Sequence, residues 1–354
     1  MGKAIRWALP VVAVLVCAAL GCRAWRQHEN AAALAIHTPN GVQEAMFVPA
    51  GGIGQWIEIR GEDRRNPVIL FLHGGPGASV TALSSLFRSW EKRFTVVMWD
   101  QRCAGKTFAR NGADSCKGMS VESVAREGNQ VAEFLRRHLH RDRIVLLGHS
   151  WGTMIGLRMI HDRPDLYSAY VGTGQVVSIA EKEPVIYHDA LARLRAAHDE
   201  DGVTALQAIG PPPYKTFQDE AVERDWSERH DIPSERDLRS NMTPLVLFAP
   251  GWSIWDTYQT FERAQHYAEA ATFDADKSYD ARKLGPDFAV PVYVFNGERD
   301  TITPTALARR WYDGIRAPRK DFVVLKGGHS SVLTAPDAFL DALVTHLQPG
   351  ATHG

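Results

Sequence analysis

Five short apolar runs constrain this chain more than any other feature. Residues 67–72, 94–99, 144–147, 290–295 and 322–325 are almost wholly apolar and rich in β-branched types. Strands covered on both faces look like this, because neither side of the pleat needs to meet water. Helix-patterned stretches separate them. From Ser120 to Arg137, for example, Val124, Val131, Phe134 and Leu135 recur on one face. Strands alternating with helices predict a mostly parallel central sheet flanked by helices, an α/β fold. Upstream, residues 36–60 carry shorter strand-like pieces, and Gln55–Arg60 alternates polar and apolar after the Gly51–Gly54 turn.

One stretch breaks the alternation. Residues 178–283 are charged, helix-prone and poor in buried-strand runs, with a Pro-rich piece at 211–213 and a Trp-rich piece at 250–255. This predicts an inserted helical cap that divides the core into 41–177 and 284–350. A chain of 354 residues is long enough for one such large domain.

The N-terminus differs from the rest. Lys3 and Arg6 precede an uncharged apolar run from Trp7 to Cys22, and Arg23 and Arg26 follow. The run is somewhat short for a spanning helix of about 20 residues. Its pattern fits an export signal or membrane anchor over 1–22, with 23–40 as a tether or short helix. Membrane association through this segment and a cell-envelope location are the expectation. Ala19-Leu20-Gly21-Cys22 is similar to the lipobox of bacterial lipoproteins, which makes Cys22 a candidate for lipidation, with a plainly cleaved signal as the alternative.

Composition excludes some classes. The 40 basic and 41 acidic residues leave a net charge of −1, without a basic run interleaved with aromatics. No nucleic-acid partner is expected. Of four cysteines, Cys17 and Cys22 belong to the leader. Cys103 and Cys116 remain, and export would permit a disulfide between them, two unlinked thiols being the alternative. No Cys/His spacing suggests a zinc site. Lys106 and Thr107 after Gly105 are similar to the end of a phosphate-binding loop, but the earlier glycine that the pattern requires falls on Asp100. No metal and no organic cofactor is expected, and the sequence carries no signature of a particular oligomeric state.

The chemistry concentrates after the strands. Gly148-His149-Ser150-Trp151-Gly152 fits G-x-S-x-G, follows the 144–147 strand and opens a helix from Thr153. That strand–turn–helix setting is where a strained, exposed nucleophilic serine occurs. A serine hydroxyl needs a base, and the base needs an orienting acid. His329, in Gly327-Gly328-His329-Ser330, follows the strand at 322–325. Asp300, in Asn296-Gly297-Glu298-Arg299-Asp300, follows the strand at 290–295, with Glu298 as the competing carboxylate. The order Ser, Asp, His and the loop positions at strand C-terminal ends favour Ser150, Asp300 and His329 as a triad. The oxyanion needs backbone donors. Trp151 N–H is one candidate. The loop His73-Gly74-Gly75-Pro76-Gly77 offers the other, on Gly75 or, as a near alternative, Gly74.

The combination His73-Gly74-Gly75-Pro76-Gly77, Trp99-Asp100-Gln101-Arg102 and Gly148-His149-Ser150-Trp151-Gly152 resembles the proline iminopeptidases of the α/β-hydrolase superfamily. The resemblance runs from about Gln55 to the C-terminus and is strongest before residue 175. It implies an α/β-hydrolase fold, a helical cap over the site, and release of an N-terminal residue from short peptides. It also implies acidic cap residues that hold the substrate's free amino group. Trp252-Ser253-Ile254-Trp255-Asp256 is the nearest match to the family's Trp-x-x-Trp-Glu run, so Asp256 is a candidate, with an Asp at a helix N-terminus as the alternative reading, and Glu181 and Glu183 are further candidates. Position 103 is Cys where the family commonly has Gly. The expected function is therefore a serine hydrolase acting by acyl transfer on a small-molecule or short-peptide substrate, first as an aminopeptidase. An esterase or other amide hydrolase is the alternative within the fold. A non-catalytic envelope binding protein on a hydrolase scaffold is the alternative outside it.

Overall fold

The computed structural model describes residues 2–347, with side chains from Pro10 onward. Met1 of the leader and positions 348–350 of the last core segment lie outside the described residues. Eight strands among the described residues form one sheet in the order β1-β2-β4-β3-β5-β6-β7-β8. They are β1 (Val42–Ala50), β2 (Ile53–Gly61), β3 (Val68–Leu72), β4 (Thr95–Asp100), β5 (Ile144–His149), β6 (Tyr167–Thr173), β7 (Val292–Gly297) and β8 (Lys320–Leu325). The hairpin β1–β2 and the β2–β4 pair are antiparallel, and every later pair is parallel. The C-terminal ends of β3, β5, β7 and β8 therefore point the same way, and the loops beyond them converge.

The five apolar runs all become strands, but two details differ from the expectation. The strand β6 lies between β5 and β7 and is almost wholly buried. Its sequence, Tyr-Ser-Ala-Tyr-Val-Gly-Thr, is too mixed to stand out as an apolar run. The last strand, β8, was expected to be covered on both faces. It is the sheet edge, with Val324 54 % exposed, and its apolar residues cover only one side.

The helices are α1 (Gly2–Ala33), α2 (Gly105–Asn111), α3 (Val121–Leu139) and α4 (Trp151–Asp162) before β6. Between β6 and β7 the described chain is helical, with α5 (Ile179–Ala196), α6 (Glu200–Ile209), α7 (Phe217–Arg229), α8 (Pro233–Arg236), α9 (Leu238–Leu247), α10 (Ile254–Tyr258) and α11 (Gln265–Asp276). A π-helical turn over Gln259–Ala264 joins α10 to α11. After β7 come α12 (Thr305–Gly314), α13 (Ser331–Thr334) and α14 (Pro336–His346). Two apolar clusters sandwich the sheet. One packs Val124, Leu135 and Ile155 of α3 and α4 against Leu70 and Leu146. The other packs Phe87, Trp90 and Phe339 against Phe71 and Phe295. Ser120 caps α3 through a reciprocal bond pair with Ser123, which fixes where that helix begins.

Residues 23–33 are not an open tether but the end of α1. Arg23, Gln27 and Asn30 share one face of that helix and donate to the carbonyl oxygens of Phe248, Ala249 and Trp252. Carbonyls beyond the end of a helix lack intrahelical donors, and these side chains supply them. Among the described residues no helix is long and apolar enough to cross a membrane. Cys22 is exposed on α1 with a free thiol. Cys103 and Cys116 are joined by a disulfide, with Cα atoms 4.9 Å apart.

Candidate active site

Ser150 sits at the turn from β5 into α4 with φ 54° and ψ −123°. A side chain at positive φ is strained, and such strain persists only where the surroundings over-determine it. Here they do. The Ser150 N–H donates to the Thr173 carbonyl at the end of β6, and Thr153 N–H and Oγ1 both donate to the Ser150 carbonyl. Gly152 is required by close approach, since a Cβ there would lie 2.3 Å from the Leu72 carbonyl oxygen. The G-x-S-x-G pattern is thus a packing requirement that lets the start of α4 rest on the end of β3.

His329 lies on the loop between β8 and α13. Its Nδ1 is 3.1 Å from each carboxylate oxygen of Asp300, which lies on the loop after β7. The Asp300 carboxylate also accepts from Ile302 N–H at 3.0 Å, Thr303 N–H at 2.7 Å and Thr303 Oγ1 at 2.6 Å. Burial pushes the Asp300 carboxyl up, but the His329 charge and the donors from His329 and Thr303 outweigh it and hold it below the usual carboxylate range. For His329, burial disfavours the imidazolium. The Asp300 carboxylate, its hydrogen bond and the Glu235 charge outweigh this and raise the imidazole above its ordinary value. With Nδ1–H donating to Asp300, the lone pair of His329 is on Nε2. Glu298, the competing carboxylate, is not among the partners of His329.

Ser150 and His329 border one cavity of about 310 Å³. Among the described residues the Ser150 hydroxyl makes no direct hydrogen bond to His329, and hydrogen bonds of this type tighten when substrate is present. Packing brings the two residues together. Gly174, just past β6 at φ +58°, leaves room for the imidazole, because a Cβ there would lie 2.7 Å from His329 Cε1. The His149 ring stands 5.0 Å from the His329 ring, with its Nε2 3.2 Å from the His329 carbonyl oxygen. Burial holds His149 down to about 3, so it is neutral and donates to that carbonyl.

Gly74, Gly75 and Trp151 line the same cavity. A Cβ on Gly74 would lie 2.8 Å from the Ser150 Cβ, so this backbone touches the serine directly. Gly75 has φ +107° and precedes a cis peptide bond to Pro76. Neither Gly75 N–H nor Trp151 N–H takes part in a turn or cap hydrogen bond among the described residues. Trp151 N–H is the first of α4, one of the donors a helix N-terminus leaves without an internal acceptor. Both residues line the cavity with Ser150.

The Asp-Gln-Arg piece supports this loop without entering the cavity. The buried Asp100 carboxylate accepts from Ser79 Oγ at 2.5 Å, Thr81 Oγ1 at 3.0 Å and Lys106 N–H at 2.7 Å. It thereby ties the segment after the Gly74–Gly77 loop to the start of α2. Arg102 pairs with Glu127 and donates to the Gly51 carbonyl.

Helices of the insertion form the opposite wall. Glu183 of α5, Glu220, Glu223 and Arg224 of α7, and Glu269 and Asp276 of α11 line the cavity. Arg224 binds Glu220 and Glu269. Glu183, Glu223, Glu228 and Asp276 remain without a basic partner in hydrogen-bond contact, and Lys182 and Lys277 line the same cavity. Burial pushes Glu183 up, and Glu223 to about 7, and Glu223 Oε1 is buried without a hydrogen-bond partner. Burial pushes Asp276 to about 6 against the hydrogen bond that Trp151 Nε1 donates to it at 2.9 Å.

Of the acids named from the sequence, Glu183 reaches the cavity and two do not. Asp256 is held at the N-terminus of α10, where it accepts from Ser253 N–H and Oγ while Ser253 Oγ accepts from Asp256 N–H. The Ser-x-x-Asp spacing makes a capping box, which uses the carboxylate locally. Glu181 pairs with Arg282 and Arg310 on the surface. Sequence reasoning missed Gly174, Thr303, Glu223, Asp276 and Glu235. Glu235, on α8, accepts from Ser330 N–H with each oxygen at 3.1 Å, and Asp231 accepts from Thr301 Oγ1 at 2.5 Å. The insertion thus grips both loops that carry His329 and Asp300.

A family model described as the alpha/beta hydrolase fold matches residues 67–336. The chain belongs to the α/β hydrolase family. Within it the chain is proline iminopeptidase-like. It is 27 % identical over 312 residues to a probable aminopeptidase of Bacillus subtilis (strain 168), covering 84 % of this chain and 93 % of that one. It is 31 % identical over 272 residues to a proline iminopeptidase of Lactobacillus delbrueckii subsp. lactis, covering 75 % and 85 %. Among solved structures, a proline iminopeptidase-related protein of Thermus thermophilus superposes with a TM-score of 0.58 at 20 % identity, covering 86 % of this chain and 97 % of that one. This α/β hydrolase is thus similar to aminopeptidases over most of its length.

Proposed function

We propose that this chain is a serine hydrolase that removes an N-terminal residue from short peptides. The observation that carries the reading is the buried Glu223, with the half-buried Glu183 beside it, facing Ser150 across one cavity. A buried carboxylate without a partner is costly, and a substrate ammonium group relieves that cost by supplying both charge and donors. The α-amino end of a peptide would enter between these acids, and the first peptide carbonyl would then lie at Ser150.

In this reading Ser150 Oγ attacks the carbonyl carbon while His329 Nε2 takes its proton. The N–H groups of Gly75 and Trp151 hold the developing oxyanion. Asp300 keeps the imidazole in the tautomer with Nδ1–H and stabilises the imidazolium. His329 then returns the proton to the leaving amine, and water repeats the sequence to free the acyl group. The disulfide Cys103–Cys116 supports an oxidising location such as the cell envelope. The apolar run in α1 supports membrane association through that segment.

One observation favours a second reading, an esterase. Much of the cavity wall is apolar, including Val80, Met154, Val176, Ile186 and Leu333, and would suit a hydrocarbon acyl chain. Paired substrates decide between the two. Aminoacyl naphthylamides should be cleaved only with a free α-amino group. Undiminished cleavage of the N-acetylated forms would remove the aminopeptidase reading and leave the esterase or amidase.

A further inference from the structure

The apolar half of α1 and the first turns of the helix α10–α11 leave an unusual surface. Every residue from Pro10 to Leu20 is exposed, and none of them is charged or a side-chain hydrogen-bonding group apart from Cys17. The helix touches the body only further on, where Arg23, Gln27 and Asn30 hold the carbonyls at 248–252. Two residues after Trp252 a second apolar surface begins. Ile254, Tyr258 and Phe261 follow one another at helical spacing on the α10 side, and Trp255 stands beside them with its ring 5.8 Å from that of Tyr258. All four are exposed, Trp255 by 58 %. The two surfaces are linked because Arg23 of α1 docks on the Trp252 carbonyl, two residues before Ile254.

We propose that both surfaces rest on one lipid bilayer, with the apolar half of α1 sunk into the near leaflet and the start of α10 lying at its interface. Three observations select lipid over another protein. The first is that α1 is apolar on all faces from residue 10 to residue 20, whereas a protein partner, including a second copy, covers one stripe of a helix. The second is length. The uncharged run Trp7–Cys22 is 16 residues and extends about 24 Å as a helix, enough to enter one leaflet of a hydrocarbon core about 30 Å thick and too little to cross it. The third is the pairing of side chains at the boundary. Trp and Tyr with Arg, here Trp25, Trp255, Tyr258, Arg23 and Arg26, suit the zone between hydrocarbon and headgroups. The consequence reaches the active site, since the helix that begins at Ile254 continues through the π-helical turn to Gln265, Glu269 and Asp276 in the cavity wall. Lipid contact of this kind does not depend on which acyl bond is cleaved.

The test uses the full chain and vesicles of phosphatidylethanolamine and phosphatidylglycerol. Bromine on the acyl chains quenches nearby indole emission. Wild type should lose more emission on brominated than on plain vesicles, and Trp255→Phe should lack a resolvable part of that loss. The variant Ile254→Ser/Trp255→Ser/Tyr258→Ser should partition onto vesicles at least about tenfold less than wild type, with its rate on a short soluble p-nitrophenyl ester unchanged. Equal bromine quenching in wild type and Trp255→Phe would overturn the proposal, and this measurement decides even if the triple variant fails to fold. Equal partitioning by a folded triple variant would also overturn it. So would a vesicle-free dimer that the serine substitutions dissolve, since a second copy would then be the occupant.

Discussion

Replacing Glu223 by Gln isolates the charge from the shape of the cavity wall. The amide has nearly the volume of the carboxyl group, so the change removes a negative charge and leaves the α7 packing in place. A charge-assisted hydrogen bond contributes about 1.5–3 kcal/mol, which corresponds to about a 10- to 150-fold fall in kcat/KM for a substrate with a free amino group. The N-acetylated or ester substrate has no ammonium group and should lose less than about threefold. The pH profile carries a second signature. Glu223 titrates near 7 because burial disfavours its charge, and His329 titrates above its ordinary value. Productive encounter of a free-amine substrate needs Glu223 ionised and His329 neutral. On the acid side, log kcat/KM should therefore climb with a slope approaching two, then fall as the substrate amine loses its proton near pH 8. Glu223→Gln should reduce the acid slope to one, and a blocked substrate should show a slope of one with either protein. Initial rates at substrate concentrations well below KM, from pH 5 to 9, measure all four profiles. A Glu223→Gln enzyme that keeps more than half of the wild-type kcat/KM on free-amine substrates, with an unchanged slope, would refute the ammonium reading.

Three further outcomes follow from the same geometry. Glu235→Gln removes a negative charge beside His329, so the acid limb for an N-blocked substrate should move to lower pH with KM little changed; a merely structural role for Glu235 would leave that limb in place. Gly174→Ala drives a methyl group against the imidazole and should lower kcat by about 10²-fold with an intact circular dichroism spectrum, whereas near-normal kcat would show that the His329 ring is free to move. Removing the Cys103–Cys116 bond by paired Ser substitutions frees a 13-residue separation in the unfolded chain and should lower stability by about 3 kcal/mol in urea titration, with activity retained at low temperature; an unchanged midpoint and slope would contradict this.

What could be read from the sequence was what local chemistry imposes. Ser150, Asp300 and His329 each follow a strand whose apolar pattern is visible, and the glycines around them mark backbone that a Cβ would obstruct, as at Gly152. The strand β6 was missed because a central strand flanked by tight helix packing accommodates small and hydroxylated residues, here Ser168, Ala169 and Gly172. The acids of the cavity wall were missed for a different reason. Glu223 and Asp276 meet Ser150 only through the folding of the inserted helices, and no spacing in the chain records it. The same holds for Glu235 and Ser330, which are 95 positions apart. Of the two readings open for Asp256, the helix N-terminal one holds, and Ser253 three residues before it is the sequence signature of that cap. The apolar leader pointed to a membrane or export role, and what it did not disclose is that residues 23–30 would dock it to the inserted helices.

Ser150 as the attacking group is the step on which the whole mechanism depends. A fluorophosphonate probe reports this directly, because it reacts only with a serine activated by its base and oxyanion donors. The wild-type protein should be labelled stoichiometrically, the label should map to the peptide containing Ser150, and Ser150→Ala should remain unlabelled. Equal labelling of wild type and Ser150→Ala, or no labelling of a folded wild type, would contradict the hydrolase mechanism described here.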